Sequence, residues 1–182
     1  MTVIVRPARV DDADAMARVF VDSFRAGHQG QVPADVLQSR TYESSAAAWR
    51  RDLTTPSPGE YISVAASGGE LVGVAMVGPP HPWPDDDTAR SEVPTAECWA
   101  LYVDPSHQRK GIGRLLIADF SRHLADRGTR RLLVGVLTAN APARAFYESL
   151  GAVLIGSRPH LDEGQTFSES VYAWPDLPTL GL

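Results

Sequence analysis

One segment of the chain combines glycines and basic residues in a spacing that suits a phosphorylated ligand. It lies between an apolar, strand-like run and a strongly helical run, and it reads Arg109-Lys110-Gly111-Ile112-Gly113-Arg114. Glycines let the backbone approach a ligand closely, and the free N–H groups at the start of a helix attract anions. We therefore predict a pyrophosphate site here. The alternative is an ordinary glycine-containing turn ahead of a helix.

Positive charge is concentrated around this segment, although the chain as a whole is acidic. The chain holds 17 Lys and Arg residues against 22 Asp and Glu residues, which gives a formal net charge of −5. Residues 104–131 carry seven basic and three acidic side chains, a local net charge of +4. This pattern favours one anionic ligand over broad nucleic-acid binding. A solvated, arginine-rich helix face is the other explanation.

Two common phosphate-binding motifs are absent from the sequence. The Walker A pattern GxxxxGK[ST] does not occur, and the dinucleotide pattern GxGxxG has Leu116 where its third glycine would stand. Both absences disfavour a protein that binds nucleoside triphosphates or dinucleotides.

The composition is that of an ordinary globular domain, with 43% hydrophobic and 21% charged residues among 182. No apolar run approaches the roughly 18 residues of a membrane span. The N-terminus has no basic region ahead of a long apolar stretch, so we expect no signal peptide. Cys98 is the single cysteine, which excludes an internal disulfide and two-cysteine metal sites and fits a reducing compartment.

The elements that must position the glycine-rich segment follow from hydrophobic periodicity and from Gly and Pro punctuation. An antiparallel hairpin around Gly68-Gly69 and a later strand–helix–strand crossover predict a mixed sheet in an α/β or α+β domain. The predicted strands are residues 3–5, 61–66, 71–77, 96–103, 132–137, 152–155 and 167–174. The predicted helices are one that follows Asp12 and stops near Gly27, a short one opened by Pro33, and residues 46–53, 113–127 and 140–150. A long loop covers residues 79–94.

Three stretches of the sequence carry a resemblance to a known family. They are Gln108-Arg109-Lys110-Gly111-Ile112-Gly113, residues 96–105 (AECWALYVDP) and residues 140–152 (NAPARAFYESLGA). They resemble the acyl-CoA signature, the fourth strand and the second CoA motif of the GNAT superfamily, the general-control-type N-acetyltransferases. The resemblance implies an α/β (α+β) fold with a mixed, mostly antiparallel central sheet of six to seven strands flanked by about four helices. It also implies that residues 1–182 form a single domain.

The resemblance implies acetyl-CoA as co-substrate, without a metal ion. In this family the fourth and fifth strands splay apart, and the pantetheine arm lies between them against the backbone of the fourth strand. The pyrophosphate would sit on the glycine-rich segment. Asn140 would contact the pantetheine arm, a role compatible with a helix N-cap, and Arg144 would reach the adenosine 3′-phosphate unless it is only an exposed helix arginine. The expected cofactor-binding residues are Leu101, Tyr102, Val103, Gln108, Arg109, Lys110, Gly111, Ile112, Gly113, Arg114, Asn140, Arg144 and Tyr147.

Two side chains match the acid and base of the family. Tyr147 corresponds to the general acid, because a phenol of pKa about 10 can protonate a leaving thiolate whose thiol has a pKa of about 8.5. Its alternative is a half-buried helix tyrosine. Glu97 is the candidate general base, and strand alternation puts it on one face with Leu101 and Val103 unless a bulge intervenes. A satisfied surface glutamate is the alternative there. Water, or the loop histidines His28, His81 and His160, are other candidates for the base.

The resemblance predicts an N-acetyltransferase that moves the acetyl group of acetyl-CoA directly to a primary amine of a small molecule, protein or peptide. The alternative is a catalytically silent module that senses acyl-CoA; the pair Glu97 and Tyr147 favours the enzyme. We expect a bacterial, cytoplasmic monomer or homodimer with no nucleic-acid or membrane partner. The acceptor should meet residues 26–41, the 79–94 loop and a loop over residues 158–166. In the second of these, Asp85-Asp86-Asp87 is either solvated or recognises a cationic amine.

Overall fold

The computed structural model describes residues 2–81 and 93–177, and this part of the chain forms seven strands and five α-helices. In chain order they are β1 (Val3–Pro7), α1 (Ala13–His28), α2 (Ala34–Ser39), α3 (Tyr42–Thr54), β2 (Tyr61–Ser67), β3 (Glu70–Gly78), β4 (Thr95–Val103), α4 (Ile112–Ala125), β5 (Arg131–Leu137), α5 (Ala141–Ser149), β6 (Val153–Asp162) and β7 (Gln165–Trp174). The predicted Asp85-Asp86-Asp87 feature lies outside the described residues. No helix in the described ranges is long and apolar enough to cross a membrane.

The seven strands form one sheet in the order β1-β2-β3-β4-β5-β7-β6. Every neighbouring pair is antiparallel except β4 and β5, which run parallel and are joined through α4. The prediction of a mixed, mostly antiparallel sheet of six to seven strands is therefore confirmed. The described helices number five where about four were expected.

Each face of the sheet is covered by helices whose apolar side chains recur at helical spacing. On one face α4 buries Ile112, Leu116 and Phe120 against the strands. On the other face α1 and α3 bury Met16 and Trp49. Burial of one such side chain contributes about 1.5–3 kcal/mol to folding. The two layers pack mainly on β2, β3 and β4.

A bulge in β4 reverses the predicted facing of its side chains. Met76 of β3 is opposite Ala100 but Val77 is opposite Cys98, so Trp99 is an extra residue in β4. Its indole lies over Gly78, where any β-carbon would collide with the ring. Strand alternation was expected to put Glu97 on one face with Leu101 and Val103 unless a bulge intervened; the bulge is present, and Glu97 does not share their face. Cys98 packs in the α4-side core with Leu101 and Val103, and Glu97 is directed to the opposite face.

The last two strands are longer than the sequence predicts. Residues 158–166 were expected as a loop, but most of them belong to the β6–β7 hairpin. Its pairing runs from Val153 opposite Ala173 to Asp162 opposite Gln165. Pro159 disfavours a strand in the sequence, yet β6 is the edge of the sheet, where a missing N–H is tolerated. His160 therefore lies on a strand, and His28 is the last residue of α1. Both were expected in loops.

Candidate active site

A wedge-shaped gap opens between β4 and β5 in the middle of the sheet. The two strands pair only as far as Cys98 and Val134. Asp104 N donates to Val72 O at 2.9 Å, and the alternation of an antiparallel ladder then directs the backbone of Tyr102 towards β3. The backbone groups of Leu101 and Val103 face the gap instead. Tyr102 itself is among the residues that line the cavity below the gap, and its predicted contact with the cofactor stays a prediction.

One of the backbone groups at the gap is already occupied. The carbonyl of Val103 accepts hydrogen bonds from Ser23 Oγ at 2.8 Å and from Gln108 Nε2 at 3.1 Å. Gln108 therefore ties the end of β4 to the glycine-rich segment, a role that its place in the predicted signature did not reveal. The N–H groups of Leu101 and Val103 remain for a ligand.

The glycine-rich segment presents free N–H groups at the start of α4. Gly111 has φ +82° and caps the helix, and the first helical bond runs from Leu115 N to Gly111 O at 3.1 Å. The N–H groups of Ile112, Gly113 and Arg114 therefore have no intrahelical partner. Open space surrounds the position that a β-carbon on Gly111 would take. An anion can approach this backbone, and the positive end of the helix dipole favours it.

The side chains of this segment divide into exposed and structural ones. Arg109, Lys110 and Arg114 are exposed, and Lys110 Nζ donates to Ser106 O at 2.9 Å. Ile112 is a core residue that is 2% exposed. A β-carbon on Gly113 would lie 3.0 Å from Phe146 Cζ, so glycine at this position allows α4 to pack closely on α5. Sequence reasoning missed this packing role, because Phe146 lies far along the chain.

A cavity of about 180 Å³ continues from the gap to the other side of the sheet. Asn140, Ala143 and Tyr147 from α5 line its cofactor-facing end. The opposite end is lined by α1 and by the β6–β7 hairpin, and its lining side chains are Phe24, His28, His160, Asp162, Phe167 and Glu169. A molecule in the gap and a second molecule entering from the hairpin side would therefore meet inside the protein.

Tyr147 places a buried phenol at this cavity. The side chain is 8% exposed, and its ring meets that of Trp174 edge-on with centroids 6.0 Å apart. Burial raises the pKa of Tyr147 well above its usual range, so the phenol stays protonated. Its hydroxyl makes no hydrogen bond with the described residues. The group is thus a neutral donor that is free for a ligand.

Asn140 and Arg144 are both held by the protein itself. Asn140 Oδ1 accepts a hydrogen bond from Ala143 N at 3.2 Å and caps α5, which leaves its amide NH₂ at the cavity. Arg144 donates to the Tyr172 hydroxyl at 3.0 Å and to Thr138 O at 3.2 Å. The guanidinium is therefore anchored on β7 and on the loop before α5, and its predicted contact with a 3′-phosphate stays a prediction.

Glu97 is buried in a chain of charged groups and does not line the cavity. Arg158 Nη2 donates to its Oε1, and His81 N donates to its Oε2 at 2.8 Å. Burial alone would raise the pKa of Glu97, but the hydrogen bonds from His81 and Arg158 outweigh burial and lower the pKa. The same guanidinium donates through Nε to Glu169 Oε2 at 2.5 Å. Both oxygens of Glu97 are thus occupied, and its role as the base stays a prediction.

Sequence reasoning missed Arg158 and Glu169. Glu169 is 9% exposed and faces the cavity, and Arg158 joins it to Glu97 across three strands. The alternation of polar and apolar residues around Glu169 indicates a strand but does not distinguish the buried face. A buried arginine between two carboxylates is a tertiary feature that no local pattern encodes.

Comparison with known proteins identifies similar chains over nearly the whole length. The model of the Acetyltransferase (GNAT) family matches residues 16–152. The chain is 28% identical to an uncharacterized N-acetyltransferase of Bacillus subtilis, YuaI, over 98% of this chain and 96% of that protein. It is 26% identical to the L-amino acid N-acyltransferase MnaT of Escherichia coli over 98% of this chain and 92% of that protein. Among solved structures, the PaiA N-acetyltransferase of Thermoplasma acidophilum in complex with coenzyme A has the same fold. Its TM-score is 0.70 at 16% identity, covering 93% of this chain and 98% of that one.

Proposed function

The chain belongs to the GNAT acetyltransferase family, and from that premise we propose how its residues carry an acetyl group from acetyl-CoA to a primary amine. The pyrophosphate binds the free N–H groups at the start of α4, beside Arg109, Lys110 and Arg114. The pantetheine arm enters the gap between β4 and β5. It contacts the amide of Asn140 and brings the thioester beside Tyr147.

The parting of β4 from β5 beside the free Tyr147 hydroxyl is the observation that carries this proposal. The acceptor nitrogen attacks the thioester carbonyl carbon, the C–N bond forms and the C–S bond breaks. The N–H groups of Leu101 and Val103 face the place where negative charge develops on the carbonyl oxygen. Tyr147 gives its proton to the departing sulfur and regains one from water.

The amine must lose a proton before it attacks, since an alkylammonium has a pKa of about 10.4. We propose that this proton leaves through a group that lines the cavity. Glu97 is paired on both oxygens and lies outside the lining, so its geometry supports a positioning role in which it holds Arg158.

We further propose that residues 1–182 form a single N-acetyltransferase domain that works in the bacterial cytoplasm as a monomer or homodimer. The lone buried Cys98 supports a reducing compartment, and the two sequence relatives named above are bacterial. The acceptor is an amine of a small molecule or of a protein. A small-molecule acceptor is supported by the relative MnaT, which is named an L-amino acid N-acyltransferase.

Incubation of the protein with acetyl-CoA and a panel of primary amines tests the proposed function. We expect release of the free thiol of CoA together with a product heavier than the amine by one acetyl group, detected by mass spectrometry. Controls omit the protein or the amine. If the protein binds CoA but acetylates no amine, it is a sensing module of the same fold. If CoA does not bind at all, the proposed cofactor site is wrong.

A further inference from the structure

The acceptor end of the cavity holds more carboxylates than cations. Arg158 is shared by Glu97 and Glu169. At the rim a second guanidinium, that of Arg40, is shared by Asp162 at 2.5 Å and Glu163 at 3.0 Å. Four carboxylates thus surround two arginines, which leaves a net charge of −2 near the cavity before the histidines are counted. Excess negative charge of this kind attracts a cation.

The cavity wall itself carries the same sign. In the described part of the chain, Glu169 and Asp162 line the cavity and no lysine or arginine does. The Glu169 side chain is 12% exposed, and its Oε2 accepts a hydrogen bond from Arg158 Nε. His160 Nδ1 lies 3.9 Å from Glu169 Oε1, beyond hydrogen-bond distance. Oε1 therefore accepts no hydrogen bond from the described residues.

The carboxylate of Glu169 lies next to the point where β4 and β5 part. It lies flat against Gly135, so closely that a β-carbon on Gly135 would occupy its position. Gly135 directly follows Val134, the last residue of β5 that pairs with β4. The unpaired oxygen is thus at the mouth of the gap.

Aromatic rings line the path from Glu169 to the rim. Phe167 is two residues from Glu169 on the same face of β7, which places the two side chains about 7 Å apart along the strand. Across the cavity, Phe24 and His28 of α1 lie with ring centroids 4.5 Å apart. An apolar body attached to the ammonium would pack between these walls.

Resting on the proposed function, we infer that the acceptor is a primary amine on an aromatic or apolar carbon body without a carboxylate, and that Glu169 receives its ammonium. An α-amino acid would bring its own carboxylate next to Glu169, and both nearby arginines are already shared by two carboxylates each. Like charges brought together at such a site weaken binding. The site therefore favours an aralkylamine over the corresponding amino acid.

Three acceptors that share one side chain test this inference on the wild-type protein: phenethylamine, L-phenylalaninamide and L-phenylalanine. They carry hydrogen, a carboxamide and a carboxylate, respectively, on the carbon that bears the amine. The amide therefore matches phenylalanine in size without its negative charge. We expect kcat/KM for phenethylamine and for the amide to exceed that for phenylalanine by about 100-fold or more. Comparable use of phenylalanine and its amide would overturn the inference, as would a preference for propylamine over phenethylamine. Absence of product with every amine would instead count against the proposed function.

Two variants locate the effect at Glu169. Glu169→Gln keeps the shape but loses the charge, and kcat/KM for phenethylamine should fall by about 10- to 100-fold, mainly through KM, while CoA affinity is unchanged. Gly135→Ala keeps the charge of Glu169 but displaces its carboxylate, and we expect it to raise KM as Glu169→Gln does. Unchanged KM in two folded variants would overturn the assignment of Glu169. If either variant fails to fold, the three-acceptor comparison on the wild type still decides the substrate class.

Discussion

Replacing Arg158 with methionine is expected to lower the free energy of unfolding by about 3–5 kcal/mol at neutral pH. The side chain of Arg158 is 9% exposed and donates to Glu97 and Glu169, which are themselves buried. Methionine fills a similar volume but removes the guanidinium from two buried carboxylates, which leaves Glu97 with His81 as its remaining partner. Urea unfolding at pH 7 measures the loss. Arg40→Met is a matched control, because Arg40 also joins two carboxylates but is 23% exposed and one partner, Glu163, is 52% exposed. A loss of about 1 kcal/mol is expected there.

The pH dependence of this loss identifies its cause. The pKa of Glu97 is lowered in the folded protein, so its pairing stabilises the fold above the unfolded-state pKa of about 4.3 and the benefit disappears as the pH falls through the folded value. In the Arg158→Met variant the buried Glu97 carboxylate loses the Arg158 hydrogen bond that helps to offset burial, so protonation of Glu97 relieves part of the penalty. The deficit should therefore shrink as the pH falls towards 4. A loss of unfolding free energy that is the same at pH 7 and near pH 4 would contradict the buried-charge explanation. A loss no larger than that of Arg40→Met would contradict it as well.

Tyr147→Phe is expected to lower kcat by about 100-fold, the low end of general acid catalysis, because a thiolate leaves readily. The hydroxyl has no hydrogen-bond partner among the described residues, so its removal should not destabilise the fold. CoA affinity should stay within a few-fold of the wild type. Steady-state kinetics under conditions where chemistry limits the rate, with calorimetry for CoA binding, measure both quantities.

Tyr61→Phe is the matched control, because it removes a tyrosine hydroxyl outside the cavity. Its hydroxyl donates to Asp119 at 3.0 Å on the α4 side of the sheet, away from the lining of the cavity. This variant should keep kcat. A normal kcat in Tyr147→Phe would remove Tyr147 from the mechanism, and an equal loss in both variants would point to a general structural effect.

Features built from neighbouring residues could be predicted from the sequence. The glycine-rich segment is local: a strand, two glycines, three basic residues and a helix follow one another, and the structure places Gly111 at the helix cap with a positive φ. The crossover that joins β4 to β5 through α4 followed from the same order of elements. The assignment of this segment to the pyrophosphate stays a prediction.

Features that depend on distant partners could not be predicted. At the Trp99 bulge the indole ring covers Gly78 of the neighbouring strand, and the bulge reverses the facing of Glu97. Gly113 was interpreted as a ligand-facing glycine, yet its contact with Phe146 gives it a packing role as well. The Glu97–Arg158–Glu169 chain joins three strands. Arg158 lies on β6, which was not predicted to extend this far because Pro159 disfavours a strand.

CoA is expected to lie in the gap between β4 and β5 and on the start of α4, and amide hydrogen exchange tests this placement most directly. Exchange is measured by mass spectrometry with and without CoA. CoA carries no acetyl group, so no reaction takes place during the measurement. We expect slower exchange on CoA binding in peptides that cover residues 99–103 and 109–115, because the free N–H groups there acquire partners. Peptides from the β2–β3 turn at residues 67–70 should exchange at the same rate in both samples. Unchanged exchange at 99–103 and 109–115, with CoA bound and protection appearing elsewhere, would contradict the account.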